Sequence, residues 1–418
     1  MINNTDIAKT AVNVQSEYGN LNAVLLHRPG VEIERMTPSN AAEALYSDIL
    51  CKHIVDREYA SFSGVFEKWC KQVYYVEDIL THLMDDDDVR QLLVTQSCQL
   101  DGCEFLIDQL LQCNSQQLAK NLIEGVVYHA DTDPKRFEQV RFTLKPLYNL
   151  FFTRDASSTI YNEVLINSMS FPVRQRETLI YRAIFEDFFR TNTMCAQKAN
   201  MAARTEGGDV QIASSDLLCI GEGIRTNHKG IMFLAEKFAQ ERPHFRIIVQ
   251  ELPHKPDSFI HLDMVHTFLG SHEVMAYPPL ISKSGVFAGK ATTLIECDGG
   301  KITTREYPNI LDALKACGMD MKPIYCGGHD DWCQDREQWH SGANFFALGD
   351  GKIIGYERNV KTIDALDHAG FSVIDADDVC TDKIDMHTYE KFVVTFKASE
   401  LPRGGGGARC MTMPINRD

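Results

Sequence analysis

An α/β fold of about five strand–strand–helix–strand units, with a helical segment inserted after the first, is what this 418-residue sequence predicts. Three observations carry the prediction. The same order of patterns recurs along the chain. One stretch, residues 81–147, breaks it with helical spacing alone. The last apolar stretch, "CMTMPI", reads as a short buried strand. A unit of this kind leaves an apolar face uncovered, so the units are expected to close into a ring around an axis.

The first unit lies in residues 1–80 and combines "LNAVLLHRPG", a helical stretch around "YASFSGVFEKWCK", and "QVYYVEDIL". Residues 81–147 follow as an inserted helical subdomain. There "DDDDVRQLLVTQ", "GCEFLIDQLLQC" and "NSQQLAKNLIEGVV" space apolar residues as helices do, with no strand signal. The acidic run Asp85–Asp88 reads as a helix N-terminus facing water, where the helix dipole favours negative charge. Residues 148–418 hold the remaining units. "SSTIYNEVLINSMSFP" with "RQRETLIYRAIFEDFFR" makes the second. "DVQIASSDLLCIGEG", two strands around a Ser-Ser-Asp turn, leads the third through "HKGIMFLAEKFAQ" to "HFRIIVQEL". The fourth combines "MVHTFLGSHEVMAYPP", "NILDALKACGM" and "KPIYCGG". The fifth opens on the Gly-Asp-Gly hairpin of "NFFALGDGKIIGYERN" and continues through "VKTIDALDHAG" and "FSVIDADD". "GARCMTMPI" then supplies a strand to complete the first unit.

Hydrophobic residues make up 44% and charged residues 24%, the balance of a globular chain with a sizeable core. The formal net charge of −16 argues against nucleic acid and anionic membranes as partners. The start, "MINNTDIAKTAVNVQSEYG", has no apolar core for export and no stretch is long enough to span a bilayer, so a cytoplasmic location is expected. The 13 cysteines are scattered and read as small buried hydrophobes. Cys326 and Cys333 flank His329 in "CGGHDDWC" but lack the short knuckle spacing of zinc sites, and no metal is expected.

Four unusual stretches fall just before or on the first strand of a unit: "NLFFTRDAS", "RTEGGDVQ", "FIHLDMVH" and "GGGGARCMT". Equivalent positions in a ring lie at one end of its axis. Asp155, Glu206, Asp209, His261, Asp263 and Cys410 are therefore expected to converge on one cavity. His261 and Asp263, two apart on an expected strand, would share a face. Carboxylates around a thiol raise its pKa until a cation arrives, so the expected substrate is a cation. The glycine run before Cys410 lets the chain wrap tightly over the cavity and present the sulfur at the start of the closing strand.

"FFTRDAS", "TEGGDV", "HLDMVHT", "REQWHSGAN" and "ELPRGGGGARCMTMP" resemble the motifs of arginine deiminases, in order and over nearly the whole chain. The resemblance implies the pentein fold, a five-module α/β propeller with an inserted helical domain. It implies Cys410 as nucleophile, His261 as general acid/base with Glu206 beside it, and Asp155 and Asp263 as the carboxylates gripping a guanidinium. Arg174 and Arg225, with Asn149, match groups that hold the substrate α-carboxylate. Phe152, Asp209 and Arg403 complete the expected substrate-binding set. The implied reaction converts L-arginine and water to L-citrulline and ammonia through an amidino-cysteine, without metal or organic cofactor. L-Arginine is the expected partner, and a homo-oligomer the expected assembly. Two departures touch loop shape: Ala156 stands where Pro is frequent, and Met264 and His266 where Thr and an aromatic are common. Another guanidino-modifying pentein (a dimethylarginine hydrolase or an amidinotransferase) and a non-catalytic arginine-binding protein are the alternatives.

Overall fold

Leu21–Leu26 is buried along its whole length because it is flanked on both sides. Gln72–Tyr75 runs parallel to it on one side and Met413–Arg417 antiparallel on the other, so the last strand of the chain completes the first unit as the sequence suggests. Helix Lys52–Trp69 turns Val55, Tyr59, Phe62 and Phe66, at helical spacing, into the apolar cluster that holds Val24 and Leu26 of that strand. The structure, a computed structural model, describes residues 9–127, 142–281, 287 and 290–418. Residues 1–8 of the stretch read as lacking an export signal, and residues 128–141 of the inserted segment, lie outside the described residues.

The second unit pairs Ser157–Ile160 antiparallel with Glu163–Ile166, which runs parallel to the two-residue strand Thr193–Met194. The third pairs Val210–Ser214 with Leu217–Glu222 and, after helix His228–Glu241, adds His244–Glu251 in parallel. The fourth sets His266–Phe268 against Glu273–Ala276 and Lys322–Tyr325, with helix Ile310–Ala316 as crossover. The fifth sets Phe346–Gly349 against Lys352–Tyr356, followed by helix Val360–His368.

Hydrogen bonds link each unit to the next. Thr159 Oγ1 donates to Pro414 O at 2.9 Å, Ser168 N to Thr205 O at 3.1 Å, and Gln211 Nε2 to His266 O at 2.6 Å. Thr267 Oγ1 donates to Ala343 O at 2.7 Å, and an Arg417 guanidinium nitrogen to Ala347 O at 2.6 Å. The strands nevertheless form separate sheets.

Three elements depart from the expected units. The hairpin Thr292–Asp298 with Lys301–Tyr307 has no counterpart in the sequence reading; it adds to the free edge of His244–Glu251, widening the third sheet to five strands. In the fifth unit Phe392–Phe396, buried throughout, wedges between Lys352–Tyr356 and Ser372–Asp375, which becomes the edge strand. In "QVYYVEDIL" only Gln72–Tyr75 is strand, and Val76–Leu83 is already helix.

Helices Val76–Leu83, Asp87–Asp101, Ile107–Leu111 and Ser115–Glu124 fill the segment of helical spacing. Asp86 caps the second of these, its carboxylate accepting from Asp88 N at 3.0 Å and Val89 N at 3.2 Å, as an acidic N-terminus should. A short antiparallel pair, Val126–Val127 with Phe142–Leu144, stands where no strand was expected. Leu93, Leu118 and Leu122 of these helices share one apolar cluster with Leu25, Ile166 and Phe185 of the first two units. Among the described residues no helix is long and apolar enough to cross a membrane.

Candidate active site

The loops that precede the first strands of successive units supply the polar groups of one buried site. Cys410 sits in a turn three residues ahead of strand Met413–Arg417, not at its start. The glycine run explains how it gets there. Gly405 has φ +87°, and a Cβ on Gly406 would stand 2.4 Å from the Phe152 ring and 2.9 Å from Cys410 Cβ. The side chain of Asn344 fastens the turn: its Oδ1 accepts from Arg409 N at 2.9 Å and Cys410 N at 3.2 Å, while its Nδ2 reaches Cys410 Sγ at 3.2 Å. Asp263 faces the same sulfur, with Oδ2 at 3.7 Å. Burial, then the carboxylates of Asp263 and Asp155, hold the thiol well above its usual pKa.

His261 and Asp263 do not lie on a strand. Leu262–Met264 is a short 3₁₀ turn, because side chains take the backbone partners a ladder would use: Asp209 Oδ1 accepts from Leu262 N at 2.9 Å, and Asn344 Nδ2 donates to Asp263 O at 3.1 Å. His261 Nε2 lies 3.0 Å from Glu206 Oε2, and its Nδ1 lies 3.7 Å from Asp155 Oδ1. A Cβ on Gly208 would stand 2.4 Å from that Nδ1, so "EGGD" needs its second glycine to admit the ring. Burial opposes charge on the imidazole, but Asp155, Glu206 and Asp209 outweigh it and push its pKa up to about 9. Burial also opposes charge on Glu206, yet Arg225 and His261 hold that carboxyl far below its ordinary value. The pair is an imidazolium beside a carboxylate.

Asp155 is gripped by Arg174, one guanidinium nitrogen donating to Oδ2 at 2.6 Å. Arg174 gives its other donors to Glu177, at 2.8 to 3.2 Å, and to the carbonyls of Asn149 and Phe152, each at 3.4 Å. Asp155 Oδ1 and His261 Nδ1, both buried, make no hydrogen bond among the described residues. Two unpartnered polar atoms at one cavity mark where a ligand group fits. Arg225 donates to Glu206 Oε2 at 3.0 Å and stacks 4.5 Å from the centre of the Phe171 ring, while its Nε has no partner.

The cavity is lined by Asn149, Phe152, Asp155, Arg174, Arg225, His261 and Cys410, with Leu45, Ile260 and Gly404–Gly406 closing it. Its free space is about 30 Å³. Leu45, Arg225, Ile260, Gly404 and Gly405 also line an outer pocket of about 400 Å³ with Phe171, Met264 and Trp339. Two expected substrate-binding residues do not line the cavity. Asp209 is a layer behind, holding Leu262 N, with burial pushing its carboxyl up to about 7. Arg403 is 44% exposed and paired with Asp48 at 2.8 Å, because the 3₁₀ turn Leu401–Gly404 faces it outward. Asn344, of the "HSGAN" stretch, and Arg409, Glu177 and Glu17 join the site without having been expected there from the sequence. The residue beside a nucleophile was the available signal for Arg409. Among the described residues no group of three or more His, Cys, Asp or Glu side chains is arranged to hold a metal ion.

Solved structures of the same architecture are known. SxtG, an amidinotransferase from Microseira wollei in the saxitoxin biosynthetic pathway, matches with TM-score 0.53 at 15% identity over 97% of both chains. The N-terminal domain of ArgZ, an arginine dihydrolase from the ornithine-ammonia cycle in Cyanobacteria, matches with TM-score 0.53 at 13% identity, over 95% of this chain and 98% of that one. DDAH from Pseudomonas aeruginosa, solved with citrulline, matches with TM-score 0.51 at 12% identity, over 94% and 99%. The fold is the one these solved structures share. The family model for arginine deiminase matches residues 43–417, and the chain belongs to the arginine deiminase family.

Proposed function

We propose that the protein hydrolyses L-arginine to L-citrulline and ammonia through a covalent amidino-cysteine, with its five units arranged as a propeller around the site. The observation that carries the reading is the cavity lined by Cys410, Asp155 and His261, with Asp263 3.7 Å from Cys410 Sγ and Glu206 3.0 Å from His261 Nε2 just behind it. Arginine needs more room than about 30 Å³, so Leu45 and Gly404–Gly405, which stand between cavity and outer pocket, move apart as it enters. Asp155 and Asp263 hold the planar guanidinium by charge-assisted hydrogen bonds and fix its carbon against the sulfur. The cation offsets the two carboxylates, and the thiol ionises, its proton passing to solvent.

The thiolate attacks the guanidinium carbon to form a tetrahedral adduct. Protonated His261, stabilised by Glu206, gives its proton to the departing nitrogen, and the carbon–nitrogen bond breaks to release ammonia. The neutral imidazole then takes a proton from water, whose oxygen adds to the amidino carbon. Collapse of this second adduct breaks the carbon–sulfur bond, its hydroxyl proton passes to the departing sulfur, and citrulline leaves with Cys410 restored as the thiol. Arg225, with its unpartnered Nε at the boundary of cavity and outer pocket, holds the substrate carboxylate.

Two measurements test the reading. Enzyme quenched during turnover should carry one added amidino group on Cys410 by peptide mass spectrometry, and free arginine should yield citrulline. Cys410→Ser should bind arginine but lose essentially all turnover, since serine lacks an ionisable, polarisable sulfur. Residual activity within tenfold of the parent would remove Cys410 from the nucleophile's role.

A further inference from the structure

Three buried arginines converge behind the site, and one glutamate from the N-terminal segment answers them. Glu17 lies outside the span that matches the family. Its Oε2 accepts from Arg409 Nε at 3.0 Å, and its Oε1 from another Arg409 nitrogen at 3.1 Å. The main chain pins Glu17 in place: Glu17 N donates to Ile212 O at 2.8 Å, and Ile212 N returns a bond to Oε1 at 3.1 Å. The third Arg409 nitrogen donates to Asp263 Oδ2 at 2.9 Å. All three side chains are at most 9% exposed. Glu17 therefore reaches the sulfur through one intermediary on each side: Arg409 precedes Cys410 in the chain, and Asp263 faces Sγ.

We propose that Glu17 is a positioning residue for the reaction, holding Arg409 so that it presents a single nitrogen to Asp263 and balancing its charge so that Asp263 keeps its own charge for the substrate cation. The bidentate hold on two Arg409 nitrogens leaves only the third for Asp263, and that one touches Oδ2, leaving Oδ1 to the Cys410 thiol, whose Sγ lies 4.0 Å away. The charge argument is separate. Arg154 and Arg417 also act on Glu17, and burial is outweighed by Arg409, Arg154 and Arg417, which bring its pKa down to about 2. The carboxylates that act on Arg154 are Glu17 and Asp263. Without Glu17, Asp263 becomes the nearest answering charge for this cationic group. Its pull on a substrate guanidinium weakens, and so does its opposition to ionisation of Cys410.

Substrate affinity and thiol ionisation then move in opposite functional directions, which a general loosening of the fold does not produce. The groups that face Cys410 are Asp263, Asp155, Arg409 and Tyr356; those that face Asp263 are Arg409, His261 and Asp155. None of these residues is itself substituted in a Glu17 variant, so a change in either readout traces to Glu17.

Glu17→Gln in the full chain is the test, because the amide keeps the shape and an acceptor for Ile212 N while removing the charge. KM for arginine should rise tenfold or more with kcat falling less than fivefold. The pH midpoint for iodoacetamide alkylation of Cys410, followed by peptide mass spectrometry, should fall relative to the parent. Glu17→Asp should recover at least half of the loss in affinity. If Glu17→Gln does not fold, Glu17→Asp carries the test, with KM raised about threefold. An unchanged KM, or an alkylation midpoint that stays put or rises, overturns the inference. The inference rests on the roles given above to Cys410 and Asp263. A parent enzyme that alkylates at Cys410 but makes no citrulline would overturn those roles, whereas a parent that turns over with an unaffected Glu17→Gln variant overturns only the role of Glu17.

Discussion

Asn344 and Cys410 are bound to each other twice: the Asn344 amide donates to Sγ at 3.2 Å and accepts from the Cys410 main-chain nitrogen at 3.2 Å. One side chain thus fixes the turn that carries the nucleophile and offers the sulfur a donor. A hydrogen bond to a charged group contributes about 1.5–3 kcal/mol, or roughly tenfold to 150-fold. Asn344→Ala should lower kcat by that much, and the alkylation midpoint of Cys410 should move to higher pH. Steady-state kinetics within threefold of the parent would show that the turn holds without it.

His261 should set the alkaline limit of activity. Its folded pKa of about 9 lies above the ordinary value of 6.5, so it is protonated through neutral pH and loses its proton as pH rises through about 9. The stability it contributes follows the same sign: fully present below about 6.5, lost as pH rises through about 9. Glu206→Gln removes the neighbouring carboxylate, and the alkaline limb of kcat should move toward about 6.5. A limb that does not shift would dissociate the pair.

Gly208→Ala tests how tightly the imidazole is seated. The new methyl would stand 2.4 Å from Nδ1 and the ring must yield. Displacement of about 1 Å at a reacting group costs on the order of a hundredfold. The variant should therefore lose about that in kcat while keeping a native far-ultraviolet circular dichroism spectrum.

Agmatine, which has the guanidinium but no carboxylate, should be a poor substrate by a bounded amount. Arg174 and Arg225 were both expected to hold the carboxylate. Arg174, however, is committed to Asp155, Glu177 and two carbonyls, which leaves the unpartnered Nε of Arg225. One charged hydrogen bond gives roughly a tenfold to 150-fold lower kcat/KM for agmatine than for arginine. Equal values would move the substrate to a decarboxylated guanidine. Arg225→Ala should harm arginine and agmatine together, because Arg225 also holds Glu206 at 3.0 Å.

The units were legible because each carries its own periodicity: alternation in "DVQIASS", helical spacing in "HKGIMFLAEKFAQ", and turn residues between. Cys410, His261 and Asp155 were legible because they sit in motifs at equivalent places in successive units. The hairpin at Thr292–Tyr307 was not, since which sheet it joins depends on the open edge of His244–Glu251 and leaves no trace in its own residues. Alternation misled at His261–Asp263, where "HLD" looks like strand but Asp209 and Asn344 take the main-chain partners. The bond between Glu17 and Arg409 joins residues 392 apart, and no local pattern announces a charge pair at that distance.

The apolar cluster common to the helical segment and the first two units bears on how the protein comes apart when heated. Leu80, Leu93, Leu118 and Leu122 have their partners in Leu25, Ile166, Ile180 and Ile415, so melting the helices exposes the floor of two sheets, one of them completed by the strand that follows Cys410. Calorimetry should record a single cooperative endotherm for these elements, and the nucleophile's turn should lose amide-exchange protection together with the helices.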